Sequence, residues 1–466
     1  MNEARRPQHP PASPATEAPT LHADTVGTPR SVLWRIRTFE SFQYRDFRLF
    51  FAGALLSNVG TWMQMTALGW LVFDITESAA SLGIVHFLSG VPIFLLTLFT
   101  GVLADRVDRR LLLIVTQIAL MLQAAAFGWL ASTGNVTMTW VYGLSLMGGV
   151  ASAFMSPAFQ AMTPDLVPRE SLMNAVALSS AQFNAARLVG PIAAAAVVLV
   201  FGWTPSGGVA EIFWVNTVSF VFVIWALAII RPEEHAPPVR ETSNAHAFVA
   251  GVRYALAHRR VWTHLLTAAM LTVFGMPFAT LLPAIARDSL GLGVTGYSSL
   301  LAANGLGALI GALGTASLSS SVTRESLIRA GLVVMALGAA VLALSGSVAL
   351  SAVTLVIMGI AVLSCVSSIN TDLQTAVPAH LRGRVMSLFV MAFIGVMPFG
   401  ALLFGWLGDL LTPSRAVLAG ACVLLVWALA LLSRPALLAD RDTQPSDSAT
   451  NRRAAPKPDP SVPNDL

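Results

Sequence analysis

Gly101-Val102-Leu103-Ala104-Asp105-Arg106-Val107-Asp108-Arg109-Arg110 joins two long apolar stretches and crowds five charges into positions 105–110. Gly101, having no side chain, lets two helices touch closely. Asp105 falls where the preceding apolar helix ends, so its carboxylate opposes the helix dipole and calls for a cationic partner, either an arginine or the N-terminus of another helix. Arg106, Arg109 and Arg110 hold the loop on one side of a bilayer. A plain basic loop accounts for the arginines but not for the glycine and the aspartate.

The flanks of this loop are typical of the chain. Of 466 residues 55% are hydrophobic and only 11% charged, with a mean hydropathy of +0.70. Soluble domains carry roughly 25% charged residues, so a chain this long cannot cover itself with polar surface, and its outer face meets lipid. A spanning helix takes about 20 apolar residues. Twelve such stretches are expected, at roughly 47–73, 79–104, 111–131, 137–158, 173–201, 211–230, 261–286, 295–317, 327–346, 348–370, 384–409 and 415–433. Hydrocarbon leaves no backbone group to water, which makes them helices. The only lysine, Lys457, lies in the C-terminal tail, so the chain lacks the glycine-rich loop plus lysine of a phosphate-cradling ATPase. Cys365 and Cys422 sit in apolar stretches without metal-ligand spacing, predicting neither a disulfide nor a metal site. No cofactor is expected, and the net charge of +4 needs no nucleic acid to explain it.

Arginine sets the orientation. Arg35, Arg37, Arg45, Arg106, Arg109, Arg110, Arg169, Arg231, Arg240, Arg253, Arg259, Arg260, Arg324, Arg382 and Arg434 all fall on the side of the termini, against Arg287 and Arg415 on the other. Both termini are therefore expected in the cytoplasm of a multi-pass inner-membrane protein. Residues 1–44 (Pro7, Pro10, Pro11, Pro14) and 434–466 have the composition of disordered tails, and 1–44 lacks the short apolar core of a signal peptide. Residues 231–260 read as a cytoplasmic linker between bundles at 45–230 and 261–433, with a short amphipathic helix around 246–258. A repeat agrees with this division. Thr163-Pro164-Asp165-Leu166-Val167-Pro168, followed by Leu178, Phe183 and Gly190, returns 210 residues later as Leu373-Gln374-Thr375-Ala376-Val377-Pro378, followed by Leu388, Phe393 and Gly400. Parallel halves place a binding site between them near the bilayer midplane.

The loop at 101–110 resembles the Gly-x-x-x-Asp-Arg-x-Gly-Arg-Arg signature of the major facilitator superfamily, with Asp108 in place of the usual glycine. Ser156-Pro157-Ala158-Phe159-Gln160, Pro164-Asp165-Leu166-Val167-Pro168-Arg169-Glu170, Asn174-Ala175-Val176-Ala177-Leu178, Asn184-Ala185-Ala186-Arg187-Leu188-Val189-Gly190-Pro191 and Gly60-Thr61-Trp62-Met63-Gln64 narrow the likeness to the branch of enterobactin exporters and transmembrane secretion effectors, over roughly residues 42–433. The resemblance implies an all-α membrane protein of twelve helices in two pseudo-symmetric six-helix bundles, not an enzyme. It also implies that Gly101, Asp105, Arg106, Arg109 and Arg110 form a cytoplasmic gate, and that the helix-5 pair Gly190-Pro191 is tied to antiport. Three features depart from better-understood relatives. Helix 4 has no arginine, helix 1 has no acid in its middle, and Gly311 to Ser321 carries serines where the first half has Asp105 and arginines.

Arg187 stands midway along helix 5, where a charge costs about 2.5–3.5 kcal/mol on insertion scales and therefore faces a cavity or a partner. It suits an anionic or oxygen-rich ligand, or an interhelical ion pair. Asn184 shares its face. Asn58, Gln64 and Asn304 are further substrate or coupling candidates, and His86 and His264 are the residues able to carry a proton near neutrality. Asp372 is expected to pair with Arg382 and Arg384. These residues predict ion-driven efflux of a small amphiphilic molecule by a monomer, with protons as the coupling ion. Uptake of a metabolite, or a sensor or scaffold built on a transporter fold, is the alternative.

Overall fold

A computed structural model of the chain describes residues 37–104, 107–204, 208–230, 244–318, 322–434 and 437–438. Asp105, Arg106, the linker residues 231–243 and most of both tails lie outside the described residues.

Helices dominate the described residues. In the first half they are α1 (Arg45–Thr76), α2 (Ala79–Ala104), α3 (Arg109–Ser132), α4 (Met138–Met162), α5 (Leu172–Phe201) and α6 (Val209–Ile229). A surface helix, α7 (Asn244–Ala257), follows. The second half holds α8 (Arg259–Met270), α9 (Phe278–Ala284), α10 (Val294–Leu318), α11 (Arg324–Leu344), α12 (Val348–Ala376), α13 (Ala379–Val390), α14 (Met397–Leu410) and α15 (Pro413–Ser433). A π-turn at Leu271–Gly275 links α8 to α9, and another at Met391–Gly395 links α13 to α14. Each pair reads as one broken crossing, with Pro277 and Pro398 just past the turns, where a missing N–H favours such a break.

Eleven crossings are long and apolar enough to span a bilayer among the described residues. The 32-residue α1 stays outside that count, because Ser57, Asn58, Thr61, Gln64 and Thr66 interrupt its apolar run. It is nevertheless packed inside the bundle against α5 and α6. Its Gln64 explains how: Asn216 Nδ2 donates to Gln64 Oε1 (2.8 Å), Gln64 Nε2 reaches Gln123 Oε1 (3.4 Å), and Gln123 Nε2 donates to the Leu144 carbonyl (2.8 Å). This buried chain ties α1, α3, α4 and α6 together, the usual use of polar side chains as interhelical glue in lipid. Outward-facing Leu199 (77% exposed) and Leu344 (74%) mark the lipid-facing shell.

Within the halves, α2 packs on α4, α3 on α4 and α6, α10 on α12, and α11 on α12 and α15. Between them, α2 meets α14 and α5 meets α10. Gly307 and Gly311 of α10 lie against the backbone of Val356 and Ile360 on α12, so that glycine spacing serves packing inside the bundle.

The two ends of the bundle differ. At the short-turn end, contacts join the halves. Asp409, in the last turn of α14, accepts from the Ala79 N–H and the Ser78 hydroxyl at 2.6 Å each, capping α2 from the other half. Arg287 pairs with Glu77 (2.7 Å) and Asp74 (3.5 Å), and Trp70 packs on Tyr297. At the arginine-rich end, the following bonds between described residues lie within one half. Arg109 pairs with Asp165 (3.1 Å), Arg110 Nε donates to the Leu227 carbonyl (2.6 Å) and Nη2 to that of Ala228, and Ser41 is fastened to Ser171 and Asn174. Across the second half, Arg324 donates to Thr375 (3.3 Å).

Candidate functional site

Where α1, α2 and α5 face α8–α9, α10 and α14, a cavity of about 190 Å³ opens between the halves. Arg187 of α5 is its charged residue. Its Nη2 donates to Asn304 Oδ1 across the interface (2.6 Å), and Asn304 Nδ2 in turn donates to the Leu355 carbonyl (3.1 Å), which fixes the amide's orientation. The guanidinium lies 5.7 Å over the Trp62 ring, a cation–π geometry. Two glycines make this approach possible. A Cβ on Gly305 would stand 2.8 Å from the Arg187 carbonyl, and Gly190 leaves room for the Trp62 side chain.

His86, Thr272 and Thr280 complete the polar part of the wall, and Met65, Pro191, Met276 and Met397 the apolar part. Thr272 Oγ1 is buried with no hydrogen-bond partner among the described residues. Among the described residues no acidic side chain lines the cavity. One guanidinium with spare N–H donors, a free hydroxyl and adaptable methionines favour a ligand with an anionic or oxygen-rich head on an apolar body. At this volume the cavity is smaller than the ~300–1,000 Å³ of drug-sized sites, so a larger ligand needs the halves to part. A second, largely apolar groove of about 400 Å³, between α1 and α6 around Met63 and Phe222, includes Ser219 in its lining and, among the described residues, no charged group.

The structure thus gathers Arg187, Asn304, His86 and Pro191 at one site, with Gly190 behind them. Gln64 belongs to the buried chain of the first half. Asn58 is half-buried in α1 away from the cavity, and Asn184 donates to the carbonyl of Ser180 on its own helix (2.9 Å). His264 is fully buried at the arginine-rich end, where it contacts Asp372. Asp372 itself is paired with Arg260, not with Arg382 or Arg384. Of the loop motif, Gly101 lies in the last turn of α2, Asp108 caps α3, Arg109 holds Asp165 and Arg110 holds the end of α6. Neither Trp62, quoted from sequence only within the Gly60–Gln64 likeness, nor Thr272 was among the candidate site residues. Trp62 offered one signal, a large aromatic beside Gly60 and Thr61 in mid-helix; Thr272 offered none. Among the described residues no group of His, Cys, Asp or Glu is arranged to hold a metal ion.

Comparison with known proteins agrees with this fold. The profile of a family described as transmembrane secretion effector matches residues 36–459. The multidrug efflux pump Tap of Mycolicibacterium fortuitum is 27% identical over 369 residues, covering 76% of this chain and 87% of its own length. The enterobactin exporter EntS of Escherichia coli is 27% identical over 408 residues, covering 87% and 95%. Among solved structures, a mutant of the nucleoside transporter NupG superposes with a TM-score of 0.68 at 14% identity, over 84% of this chain and 99% of that one. A D-xylose-proton symporter gives 0.65 at 15%, over 85% and 97%. At such identity these two report the fold.

Proposed function

The chain belongs to the transmembrane secretion effector family of major facilitator transporters, and from that premise we propose that it exports a small amphiphilic molecule, drug-like or siderophore-like, by ion-driven alternating access. The observation that carries this reading is the cavity between the halves with Arg187 as its one charged wall residue, held by Asn304 and Trp62. Curated relatives described as exporters favour outward movement. The arginine-rich end then faces the cytoplasm of the inner membrane, by the positive-inside rule, with α1 as the twelfth crossing and a monomer as the working unit.

The described contacts fit one state of the cycle. Among the described residues, Asp409 and Arg287 join the halves at the outer end, while Arg109–Asp165 at the cytoplasmic end lies within one half; in this reading ligand reaches Arg187 from inside. Outward opening must break the Asp409 cap and the Arg287 clasp and bring the cytoplasmic ends together, where the Asp105 motif supplies the latch. Each proton moved down about 100 mV releases roughly 2.3 kcal/mol, enough for about a fiftyfold gradient at one to one.

The test is cellular accumulation in a host stripped of its own exporters, comparing wild type, Arg187→Ala and Asp105→Asn against siderophores, macrolides and lipophilic dyes, with a protonophore added midway. Lower accumulation in the wild type, lost in both variants and on uncoupling, is the expected result. Higher accumulation of a compound in the wild type would replace export by uptake. No difference across the panel would overturn the export reading and turn attention to a sensor or scaffold role.

A further inference from the structure

The repeat of 210 residues extends to the short helices that lead into each half. In the first half, the turn Arg37–Gln43 precedes α1 and is fastened to the start of α5. There the Ser41 N–H donates to Asn174 Oδ1 (3.0 Å) and the Ser41 hydroxyl to the Ser171 carbonyl (3.1 Å). In the second half, α7 precedes α8 and packs on α13, where a Cβ on Gly251 would stand 3.1 Å from the Arg384 Cβ. Gly251 and Arg384 lie 210 positions after Ser41 and Asn174. The corner into α8 is fixed as well. A single extended residue, His258 (φ −110°, ψ 104°), separates the two helices; its ring stacks on Tyr254 (3.8 Å) and its Nδ1 lies 2.8 Å from the Tyr254 carbonyl. Held at both places, α7 presents its remaining face in one direction.

That face is apolar with one charge in it. Gly251 and Ala255 are buried, and Val249, Arg253 and Leu256 share the opposite side of the helix by their spacing of four and three. Val249 is 58% and Leu256 62% exposed, with exposed Arg253 between them. The first turn of α8 continues the pattern with exposed Arg259 and, three residues on, Trp262 at 45% exposure. On α13, His380 and Arg382 are exposed too. Residues 244–262 contain no acid, and neither do 376–390. The first half differs here. Phe39, Gln43 and Asp46 stand 210 positions before Val249, Arg253 and Leu256, with Asp46 beside Arg45 (4.0 Å) and Glu40 accepting from the Ser171 hydroxyl (3.4 Å).

We propose that α7 lies in the cytoplasmic leaflet and that its Val249–Arg253–Leu256 face, continued by Arg259 and Trp262, binds anionic phospholipid. The proposal rests on the orientation given above and not on the direction of transport. Two large apolar side chains on either side of a guanidinium find no common partner in water. The boundary between headgroups and acyl chains supplies both, since the aliphatic residues sink toward the chains while the arginine reaches back to the phosphates. A tryptophan beside them belongs at that depth. A guanidinium meets a phosphodiester with paired N–H donors, and basic residues next to a span, with no acid near them in sequence, draw anionic lipid to the surface. Lipid held there ties the starts of α8 and α13, the two broken crossings, to the leaflet.

The experiment uses the full chain carrying Cys422→Ser, with Val249→Cys or Leu256→Cys spin-labelled; the remaining Cys365 is buried. The protein is placed in nanodiscs of phosphatidylcholine, alone or mixed with phosphatidylglycerol. Oxygen partitions into the acyl region and a nickel chelate stays in water. Relaxation by oxygen is expected to exceed that by the chelate at both positions, and by more when phosphatidylglycerol is present. Mass spectrometry of the lipid that stays with the protein on extraction from mixed discs is expected to show phosphatidylglycerol several-fold above its share, falling to that share in the double variant Arg253→Gln, Arg259→Gln. Chelate favoured in both compositions would put the face in the cytosol, and exclusion of both reagents would mean that protein covers it. Either overturns the proposal, as does enrichment that is absent from the wild type or equal in the double variant. No readout involves transport, so a failed export assay and a failed lipid site are told apart.

Discussion

Arg187 shows how much of a site can rest on one side-chain geometry. Its planar group lies over Trp62 and sends one N–H to Asn304, leaving the remaining donors toward the cavity. Lysine keeps the charge but has neither the flat face nor the fork. Arg187→Lys is therefore expected to keep the fold and lose roughly tenfold or more in apparent affinity for an anionic substrate, from the ~1.5–3 kcal/mol of a charge-assisted hydrogen bond. Initial export rates against substrate concentration check this, and an unchanged half-saturation would remove Arg187 from the binding wall. Arg187 was legible in the sequence because a charge in mid-membrane must face protein or water. Gln64 and Asn184 were not separable from it by that rule. An uncharged amide is equally at home in a cavity or between helices, and only the structure shows Gln64 bonded to Asn216 and Asn184 bonded to its own helix. Asp372 was matched to arginines close in sequence, whereas its partners come from Arg260 and His264, more than a hundred positions earlier.

At the scale of elements, the apolar runs located the helices, because hydrocarbon forces any apolar segment of about 20 residues to be helical. Their breaks were less legible. The π-turns at Leu271–Gly275 and Met391–Gly395 leave the hydropathy unchanged and show only as backbone geometry, yet the first delivers Thr272 to the cavity. The cap of α2 was equally silent. Asp409 was not singled out from sequence, and its partner is the start of a helix 330 residues earlier. A carboxylate on a helix N-terminus is favoured by the dipole and by unpaired N–H groups, and here it must release for α2 and α14 to separate. Asp409→Asn keeps the shape and removes the charge. Phe87 of α2 packs on Phe399 of α14 across the halves. In protein carrying Cys422→Ser and Phe87→Cys, labelling of the new cysteine by a membrane-impermeant maleimide is expected to rise several-fold, since about 1.4 kcal/mol taken from one state is a tenfold change in occupancy. Unchanged labelling would show that the outer seal lies elsewhere, with Arg287 next in line.

For the whole molecule, alternating access requires that neither seal be too strong. The outer seal is made of Asp409 on the start of α2 and Arg287 on Asp74 and Glu77. In the proposed cycle the inner one rests on the motif at the other end of α2, whose Asp105 the sequence leads us to expect against a helix dipole or an arginine. One helix would then carry a latch at each end, the two biasing a single equilibrium in opposite directions. Asp105→Asn is expected to lower labelling of the outer reporter, as Asp409→Asn raises it. Asp409 acts at the first residue of the helix Ala79–Ala104 and Asp105 follows its last, a separation at which the two are expected to act additively in free energy. The double variant should return labelling close to the wild-type level while exporting more slowly, because both end states have lost the contact that holds them closed against leak. Labelling that stayed raised in the double variant, as in Asp409→Asn alone, would mean that Asp105 does not bias the same equilibrium. The cytoplasmic latch would then have to be sought in the arginines, beginning with the pair Arg109 and Asp165.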